Sequence, residues 1–429
     1  MIFLGCLWAM PNWAAPPQVV TTLPAQGASA VPLSVQEVVV TFDQDMDQRG
    51  FSFMGGGESF PKIVTKPFWR SARECVLPVQ LEPARTYQIG LNGPTKGNFK
   101  NLAGELLPQV ILRFSTAGGT LPPVPQALQT ESIRQLKEAL ETRYSYRDIH
   151  PVDWTAQWRE FEPRLMAATS TRAFALIAGQ MLAATQDPHI WLMEGGQIVP
   201  AFQRAVEPNI NWPFTETRIK QAQKPHAMVV SGTAAPGIGY LAVHSWQKNQ
   251  GAEIFEAARK AMTELQTLPG LILDVRTNSG GDETTARKVA GLFIQKRALY
   301  AKHQMHGSQT VEERWLEPNP DGPFYRGRVI VLMGPLCMSS CEAFLLMMRQ
   351  VPGCRLVGAP SYGSSGNPQP HELANRVTVF LPSWRAMLPD GTVFEGRGLT
   401  PDVLVRAEKK EFWPGDPVLD KAVELLKSP

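Results

Sequence analysis

From Gly237 onward, short apolar runs alternate with stretches of helical periodicity. The apolar runs span residues 238–243, 270–275 and 328–333, and the amphipathic stretches span 253–267 and 283–293. Runs that carry no alternating polar residues are typical of strands buried on both faces, whereas the amphipathic stretches predict helices. Strands and helices in alternation predict a layered α/β core.

One serine stands at a junction of strand and helix in this predicted core. The apolar run 329–333 leads into the turn Gly334 to Glu342, and an apolar helical stretch, 343–348, follows. Ser339 is therefore expected at a helix start, where unpaired N–H groups and the helix dipole favour negative charge. A serine at a helix start is most often a cap, but the same geometry suits a nucleophile, so Ser339 is the candidate nucleophile.

The N-terminal part of the chain has a different pattern. Residues 16–117 contain short strand-like runs at 35–42, 74–79, 86–91 and 110–114, separated by Gly, Pro, Asn and Asp. Such spacing predicts an all-β sandwich. Residues 118–127 are rich in proline and predict a stiff linker.

Helical periodicity begins after the linker and predicts a helical segment over 128–190. Thr130, Asp153 and Ser170 are the expected N-caps of three helices. The third is expected to end at Gln186-Asp-Pro-His189, because the residue before a proline disfavours helix. His189 would thus lie on a constrained turn. Residues 190–235 show no clear period and are expected to be irregular.

Length and charge limit the classes of function. A chain of 429 residues accommodates two or three domains, and a net charge of +3 without a basic block does not indicate nucleic-acid binding. The five cysteines form no C-x-x-C pair. Cys337, Cys341 and Cys354 lack a histidine at metal spacing, so small-residue packing is favoured over zinc, and a disulfide to Cys354 is left open.

The first residues resemble a secretory signal. An apolar stretch at 2–10 precedes small residues, although no charged residue opens it, and 1–15 is interpreted as a signal-like segment. We therefore expect an exported protein, periplasmic or extracellular, of a bacterium. No other stretch is expected to span a membrane.

Five motifs in order resemble the S41 superfamily of tail-specific (C-terminal processing) and tricorn-core serine peptidases. The matching stretches are Gly237–Tyr240, Leu271–Gly281, Ser339–Glu342, Leu356–Gly358 with Ser361–Gly363, and Phe394–Asp402. The resemblance implies a crotonase/ClpP-like core of stacked ββα units over 191–429, with 128–190 as its helical cap. Separately, Pro24–Ala28 and Val39–Asp47 resemble a bacterial immunoglobulin-like module, for which an adhesive or spacing role is expected.

The resemblance also implies the catalytic residues. Ser339 aligns with the family nucleophile, which needs a base to attack at neutral pH. The tail-specific branch uses a lysine where this chain has Ser364 or Ser365. The tricorn-like branch uses a histidine from the cap and a glutamate before the G-x-P-D motif. His189 and Glu395 stand at those positions, closest to the tricorn-like pattern.

Two further assignments complete the implied site. An oxyanion hole is expected from the backbone N–H of Gly280 or Gly281 together with that of Ser340. A structural role remains the alternative for His189, and His244 is the reserve candidate for the base. The interval 190–235 is short for a PDZ domain, so recognition of C-terminal tails is not carried over.

The sequence therefore predicts a serine endopeptidase that cleaves a peptide or protein substrate through an acyl-enzyme on Ser339. It is expected to need no metal and no organic cofactor. The principal alternative is a catalytically inactive S41-fold protein that binds a ligand or peptide, and an ester hydrolase with the same residues is a third possibility. The natural substrate and the oligomeric state are not predicted.

Overall fold

The computed structural model describes residues 16–93, 97–117, 124–195 and 197–428. The chain divides into two compact units, one up to Pro123 and one from Val124 onward. The signal-like segment 1–15 and the greater part of the predicted linker lie outside the described residues. In the described ranges, no helix is both long and apolar enough to cross a membrane.

The N-terminal unit consists of β-strands. They are β1 (Val19–Leu23), β2 (Ala28–Val31), β3 (Glu37–Phe42), β4 (Phe53–Met54), β5 (Lys62–Ile63), β6 (Phe68–Ser71), β7 (Glu74–Gln80), β8 (Thr86–Leu91) and β9 (Val110–Thr116). One sheet has the order β1-β3-β7-β5, with β6 also paired to β7, and the other has the order β2-β9-β8-β4. Alternating residues of β3 and β8, such as Val40 and Ile89, meet in one core. The predicted strands are confirmed, and kinship with immunoglobulin-like modules stays a prediction.

Three helices open the second unit: α1 (Gln126–Thr142), α2 (Trp154–Met166) and α3 (Thr171–Leu182). The predicted caps are confirmed for α2 and α3, since Asp153 and Ser170 accept hydrogen bonds from the N–H groups of Ala156 and Ala173. The predicted cap at Thr130 is wrong. Helix α1 starts earlier, at Gln126, and the Thr130 hydroxyl bonds back to the Gln126 carbonyl within the helix.

The remaining elements form three sheets and five helices. The strands are β10 (Trp191–Glu194), β11 (Gln197–Pro200), β12 (Lys220–His226), β13 (Val229–Ala235), β14 (Ile238–Val243), β15 (Gly270–Asp274), β16 (Ala298–Met305), β17 (Val311–Leu316), β18 (Arg328–Met333), β19 (Arg355–Gly358), β20 (Pro368–Glu372), β21 (Thr378–Pro382), β22 (Trp384–Met387) and β23 (Val403–Leu404). The helices are α4 (Trp212–Thr217), α5 (Gly251–Leu265), α6 (Glu283–Ala290), α7 (Ser340–Met348) and α8 (Pro417–Lys427).

The central sheet has seven strands in the order β12-β13-β14-β15-β18-β19-β23, parallel from β14 onward. Its side chains alternate between two cores, as the pleat requires. Leu241 and Leu273 pack with α5, α6 and α7, whereas Tyr240 and Ile272 pack with α8. The predicted layered α/β core is confirmed, and the chain as a whole is a mixed α/β multidomain protein.

The expectation that residues 190–235 are irregular is wrong. This interval contains the hairpin β10–β11, helix α4 and the strands β12 and β13. Strand β12 was not predicted because it lies at the edge of the sheet and its side chains are almost all exposed, which leaves no apolar pattern in the sequence. It also carries Pro225, which an edge strand tolerates, and a bulge where Gln221 has a φ of 52°.

Two smaller sheets complete the second unit. One has the order β11-β10-β21-β20, and the other has the order β17-β16-β22. Helices α1 and α3 pack on the first of them, where Leu136 and Phe174 share a core with Leu192 and Val379. The cysteines of the described ranges, Cys75, Cys337, Cys341 and Cys354, are free thiols. The disulfide to Cys354 is therefore not formed in this structure.

Candidate active site

Ser339 is the junction between β18 and α7 and has a strained backbone. Its φ and ψ are 60° and −126°, a conformation that residues with a side chain rarely adopt. The side chain is partly exposed and lines a cleft of about 310 Å³. A strained backbone that presents a hydroxyl to a cleft is typical of a nucleophile in a sharp strand-to-helix turn.

A buried carboxylate holds this turn against the loop 361–366. Glu342 Oε2 accepts from the N–H groups of Ser339 at 3.2 Å and Ser364 at 3.0 Å. Its Oε1 accepts from the Ser361 hydroxyl at 2.5 Å and the Gly363 N–H at 2.8 Å. Burial raises the pKa of Glu342 to about 7, against the opposing effect of these donors. Glu342 thus fixes the loop to the start of α7.

The glycine loop after β15 packs directly on Ser339. A Cβ at Gly280 would lie 2.8 Å from Ser339 Cβ, and a Cβ at Gly281 would lie 2.2 Å from the Trp246 carbonyl oxygen. Both glycines also have positive φ, at 101° and 134°. Only glycine meets both conditions without a shift of the backbone. The Ser340 hydroxyl donates to the Gly281 carbonyl at 2.7 Å and so ties this loop to α7.

The N–H groups beside Ser339 differ in their hydrogen bonds. The Gly280 N–H donates to Asn278 Oδ1 at 2.8 Å. The N–H groups of Gly281 and Ser340 have no acceptor among the residues that the structure describes. Gly281 and Ser340 therefore present the free backbone donors, whereas Gly280 shapes the loop.

His189 lies on the turn between α3 and β10. Its N–H donates to Asp187 Oδ1 at 2.9 Å, which fixes the turn that the Asp-Pro-His sequence predicts. Its Nδ1 lies 2.5 Å from Ser364 Oγ. Burial lowers the pKa of His189 to about 4, so that the ring is neutral at pH 7.

Sheet topology brings His189 to the loop 361–366. β10 starts just after His189, and β20 starts just after this loop. Both strands are antiparallel to β21 and therefore parallel to each other in direction, so both start at the same end of the sheet. The sequence alone does not predict this contact, because His189 and Ser364 are 175 residues apart in the chain.

Ser339 and His189 share a partner but no direct hydrogen bond within the described ranges. The Ser339 N–H donates to the carbonyl oxygen of Ser364 at 2.9 Å, and the hydroxyl of Ser364 contacts His189. His189 Nε2 has no hydrogen-bond partner in the same part of the chain. If Nδ1 donates to Ser364, Nε2 is left with a lone pair that can accept a proton.

Glu395 reaches the same loop through Ser365. Its Oε2 accepts from the Ser365 N–H at 2.9 Å and from the Ser365 hydroxyl at 3.1 Å. Tyr146 OH lies 2.7 Å from Ser365 Oγ. Burial, with the negative charges of Asp187 and Glu342, raises the pKa of Glu395 well above its usual range. Tyr146 and Ser365 were not predicted as site residues.

A buried cluster lies behind these residues. Ligand atoms of His150, Asp187 and Glu395 all lie within 4.8 Å of one another, a donor set that could hold a divalent cation. Asp187 Oδ2 also accepts from Tyr144 OH at 3.0 Å, and burial raises the pKa of Asp187 to about 6. Two buried carboxyl groups at this distance need a proton or a cation between them.

The cleft beside Ser339 has an apolar part and a charged part. Its apolar lining comes from Ala301, Ala343, Leu346, Ala386 and Phe394. Along the charged part, Glu283 accepts from Arg314 at 3.0 Å. The reserve candidate His244 does not line this cleft, and its Nδ1 lies 2.6 Å from Thr277 Oγ1. Its ring also stands edge-on to Trp212.

Known proteins resemble this chain over part of its length. The model of peptidase family S41 matches residues 237–405. A "Probable CtpA-like serine protease" of Staphylococcus epidermidis is 24% identical over 184 residues, which cover 43% of this chain and 37% of that protein. A protein of the same name from Staphylococcus aureus is 23% identical over 226 residues, 49% of this chain and 43% of its own length. The chain thus spans less than half the length of these curated relatives.

Solved structures share the fold at low sequence identity. A protein of Parabacteroides merdae ATCC 43184, described as a peptidase, has a TM-score of 0.61 at 20% identity and covers 70% of this chain and 97% of its own. Mature CPAF has a TM-score of 0.51 at 11% identity, with 70% and 97% covered. These structures show a shared fold, whereas the match over 237–405 and the CtpA-like relatives confirm the resemblance that the five motifs carry. Residues 237–405 of this chain are therefore similar to peptidase family S41.

Proposed function

We propose that this protein is a serine endopeptidase that hydrolyses peptide bonds through an acyl-enzyme on Ser339. The observation that carries the proposal is the strained Ser339 at the cleft, next to the free N–H groups of Gly281 and Ser340. Two preorganised donors beside a nucleophile suit the negative oxygen of a tetrahedral intermediate. The apolar lining of the cleft suits a peptide side chain.

His189 is the proposed base. With Nδ1 donating to Ser364, its Nε2 would take the Ser339 proton as the substrate binds and the cleft tightens. The neutral ring that burial favours is the form that accepts a proton. Glu395 is proposed to assist through Ser365, the residue that links its carboxyl group to the cleft.

The second candidate function is peptide binding without catalysis. One observation favours it: His189 is bonded to Ser364, and no hydrogen bond joins it to Ser339 in the described part of the chain. A protein of this kind would use the same cleft to hold a peptide and leave it intact.

The test compares the full-length protein with Ser339→Ala on unfolded protein and peptide substrates. Cleavage by the wild type and its loss in the variant support the peptidase, and labelling of Ser339 by a fluorophosphonate identifies the nucleophile. Ser59→Ala, which removes an exposed hydroxyl in the N-terminal unit, is the matched control. Equal cleavage by wild type and Ser339→Ala places the chemistry elsewhere. Peptide binding without cleavage by either protein supports the second candidate.

Export remains part of the proposal. It depends on the signal-like pattern of residues 2–10, which lie outside the described residues. Expression of the full chain in a bacterium, followed by fractionation and mass determination of the N-terminus, tests it. Recovery of the uncleaved protein in the cytoplasmic fraction argues against export.

A further inference from the structure

One wall of the cleft beside Ser339 is a face of the sheet β17-β16-β22. Ala301 and His303 lie two residues apart on β16 and therefore project from the same face. Arg314 of β17 pairs with Ala301, and Ala386 of β22 pairs with His303, so their side chains share that face. All four residues line the cleft. The sheet thus gives the cleft a wall of small apolar and large polar side chains.

Small residues make the space in this cleft. Ala301 and Ala386 are buried in the sheet wall, and Ala343 lines the cleft from α7. A methyl group at each of these positions leaves room that a longer side chain would fill. The hydrocarbon stem of a substrate side chain can therefore lie here and shield apolar surface from water.

The polar part of the lining carries more positive than negative charge. Glu283 Oε1 accepts from Arg287 at 3.0 Å and from Arg314 at 3.0 Å. Neither arginine forms another ion pair in the part of the chain that the structure describes, so two guanidinium groups share one carboxylate. The other two charged residues of the lining, Lys248 and Asp282, have opposite signs. Among the described residues, the cluster of Arg287, Glu283 and Arg314 therefore keeps one uncompensated positive charge.

Polar atoms at the same place lack hydrogen-bond partners. Arg314 Nε, Arg287 Nε and His303 Nδ1 are buried and have no partner within the described ranges. His303 has only 5% of its surface exposed, and its ring stacks on Trp384 with 4.5 Å between the centroids. Burial lowers the pKa of His303 to about 4, so that the ring is neutral at pH 7 and can donate one N–H. Buried polar groups without a partner in a cleft indicate an acceptor that a ligand supplies.

We propose that this cleft selects a glutamate side chain of the substrate and that Arg314 is the specificity residue that binds its carboxylate. The methylene groups of the glutamate would lie against the alanines of the sheet wall. Its carboxylate would balance the positive charge of the cluster, and a guanidinium group suits a carboxylate in geometry as well as in charge. A lysine side chain could reach Glu283, but it would meet two guanidinium groups there.

The inference rests on the proposed peptidase function for the position of the glutamate in the substrate. Ser339 and the residues with the free N–H groups, Gly281 and Ser340, line the same cleft. A substrate carbonyl group that these residues bind brings its own side chain to the cleft. The glutamate would therefore be the residue whose carbonyl carbon Ser339 attacks.

Binding to full-length Ser339→Ala tests the charge preference without turnover. Labelled alanine peptides with one variable residue, glutamate, glutamine or lysine, are compared by fluorescence anisotropy. Glutamate and glutamine have nearly the same shape, and a charge-assisted hydrogen bond predicts about 10–100-fold tighter binding of the glutamate peptide. The lysine peptide is expected to bind most weakly. Equal affinities for glutamate and glutamine, or tightest binding of lysine, would overturn the proposal.

Substitution of Arg314 identifies the residue responsible. In the Ser339→Ala background, Arg314→Gln should reduce the preference for glutamate over glutamine to less than about threefold, and Arg314→Lys should retain part of it. Arg297→Gln is the matched control, because it removes an exposed arginine that pairs with Glu317 and does not line the cleft. A preference that survives Arg314→Gln would overturn the role of Arg314. The preference measured in Ser339→Ala does not depend on whether Arg314→Gln folds.

Cleavage by the wild type tests the position of the glutamate. Mass spectrometry of the cut peptides should find glutamate at the new C-terminus, and cuts at other positions would overturn the proposed position. Failure of the peptidase function gives a different result. A wild type that cuts no peptide, while Ser339→Ala still prefers glutamate, would support the selective cleft and contradict the peptidase.

Discussion

The imidazole of His189 is held by Ser364, whose hydroxyl oxygen lies 2.5 Å from His189 Nδ1. In the tail-specific peptidase pattern, a lysine stands at the position of Ser364 or Ser365. This chain has neither an amine nor a positive charge in its Tyr362–Gly366 loop. Ser364 instead contacts the candidate base with its side chain and the candidate nucleophile with its carbonyl oxygen. The loop that carries the lysine in that pattern contacts His189, the proposed base, in this chain.

Removal of the Ser364 hydroxyl should disturb the position of His189. Ser364→Ala is expected to lower kcat by about 10²-fold, because a small misplacement of a base is costly, with little change in KM. Ser364→Thr, which restores a hydroxyl, should recover part of the loss, and Ser59→Ala should match the wild type. Steady-state kinetics on a peptide substrate give these values. An unchanged kcat in Ser364→Ala would show that the contact with His189 is dispensable.

The pH dependence of cleavage should reflect the buried histidine. Because burial lowers the pKa of His189 to about 4, the active neutral ring persists well below pH 6.5. Burial is the cause of this shift, and the side chain that His189 Nδ1 contacts is the uncharged Ser364 hydroxyl. We expect kcat/KM to rise with pH on the acid side of the profile, with the midpoint of that rise near pH 4–5. A limb centred at pH 6.5 or above would contradict a buried His189 as the base.

The same shift should make the protein less stable in acid. The folded state holds His189 neutral at a pH where the unfolded chain, with an ordinary pKa of 6.5, binds a proton. The unfolded state therefore binds more protons between about pH 6.5 and 4, and the contribution of His189 to stability falls as the pH decreases through that window. Urea unfolding of wild type and His189→Gln at pH 7 and pH 5 measures it. The variant should lose less stability between the two values, and an equal loss would refute the assignment.

The glycine loop should tolerate no side chain next to Ser339. Gly280→Ala brings a Cβ to 2.8 Å from Ser339 Cβ and 2.7 Å from the Met338 carbonyl oxygen. We expect kcat to fall by about 10²–10³-fold, the loss typical of a damaged oxyanion hole. Gly307→Ala is the control, because it has a φ of 70° but no atom within 4 Å of the new Cβ. If both variants lose activity equally, strain at a positive φ explains the effect and the close approach to Ser339 does not.

The buried arginine of the central sheet should matter for stability. Arg276 is fully buried and forms ion pairs with Asp274 at 2.6 Å and with Asp416, just before α8, at 2.8 Å. Arg276→Ala leaves two carboxylates without a counter-charge and should cost about 3–5 kcal/mol in the free energy of unfolding. Arg259→Ala removes an exposed pair with Glu256 and should cost less than about 1 kcal/mol. Urea denaturation compares them, and similar losses would show that burial of the network adds nothing.

The local elements of the core were predictable because their signals are local. The apolar runs 238–243 and 328–333 became β14 and β18 with the predicted bounds. Strand β12 was missed because an exposed edge strand has no apolar face to produce a period. Helix α1 starts at Gln126, directly after Pro125, and therefore before the predicted cap at Thr130.

The sequence by itself determined the layered α/β core, the glycine loop and the serine at the start of a helix, because each depends on neighbours within a few residues. Only the tertiary structure decided the partners. His189 contacts Ser364, Glu395 reaches the cleft through Ser365, and Tyr146 contacts the same serine. These contacts join residues as far as 219 positions apart. A hydrogen bond depends on tenths of an ångström between such segments, and the pairing of β10 and β20 with β21 sets that distance.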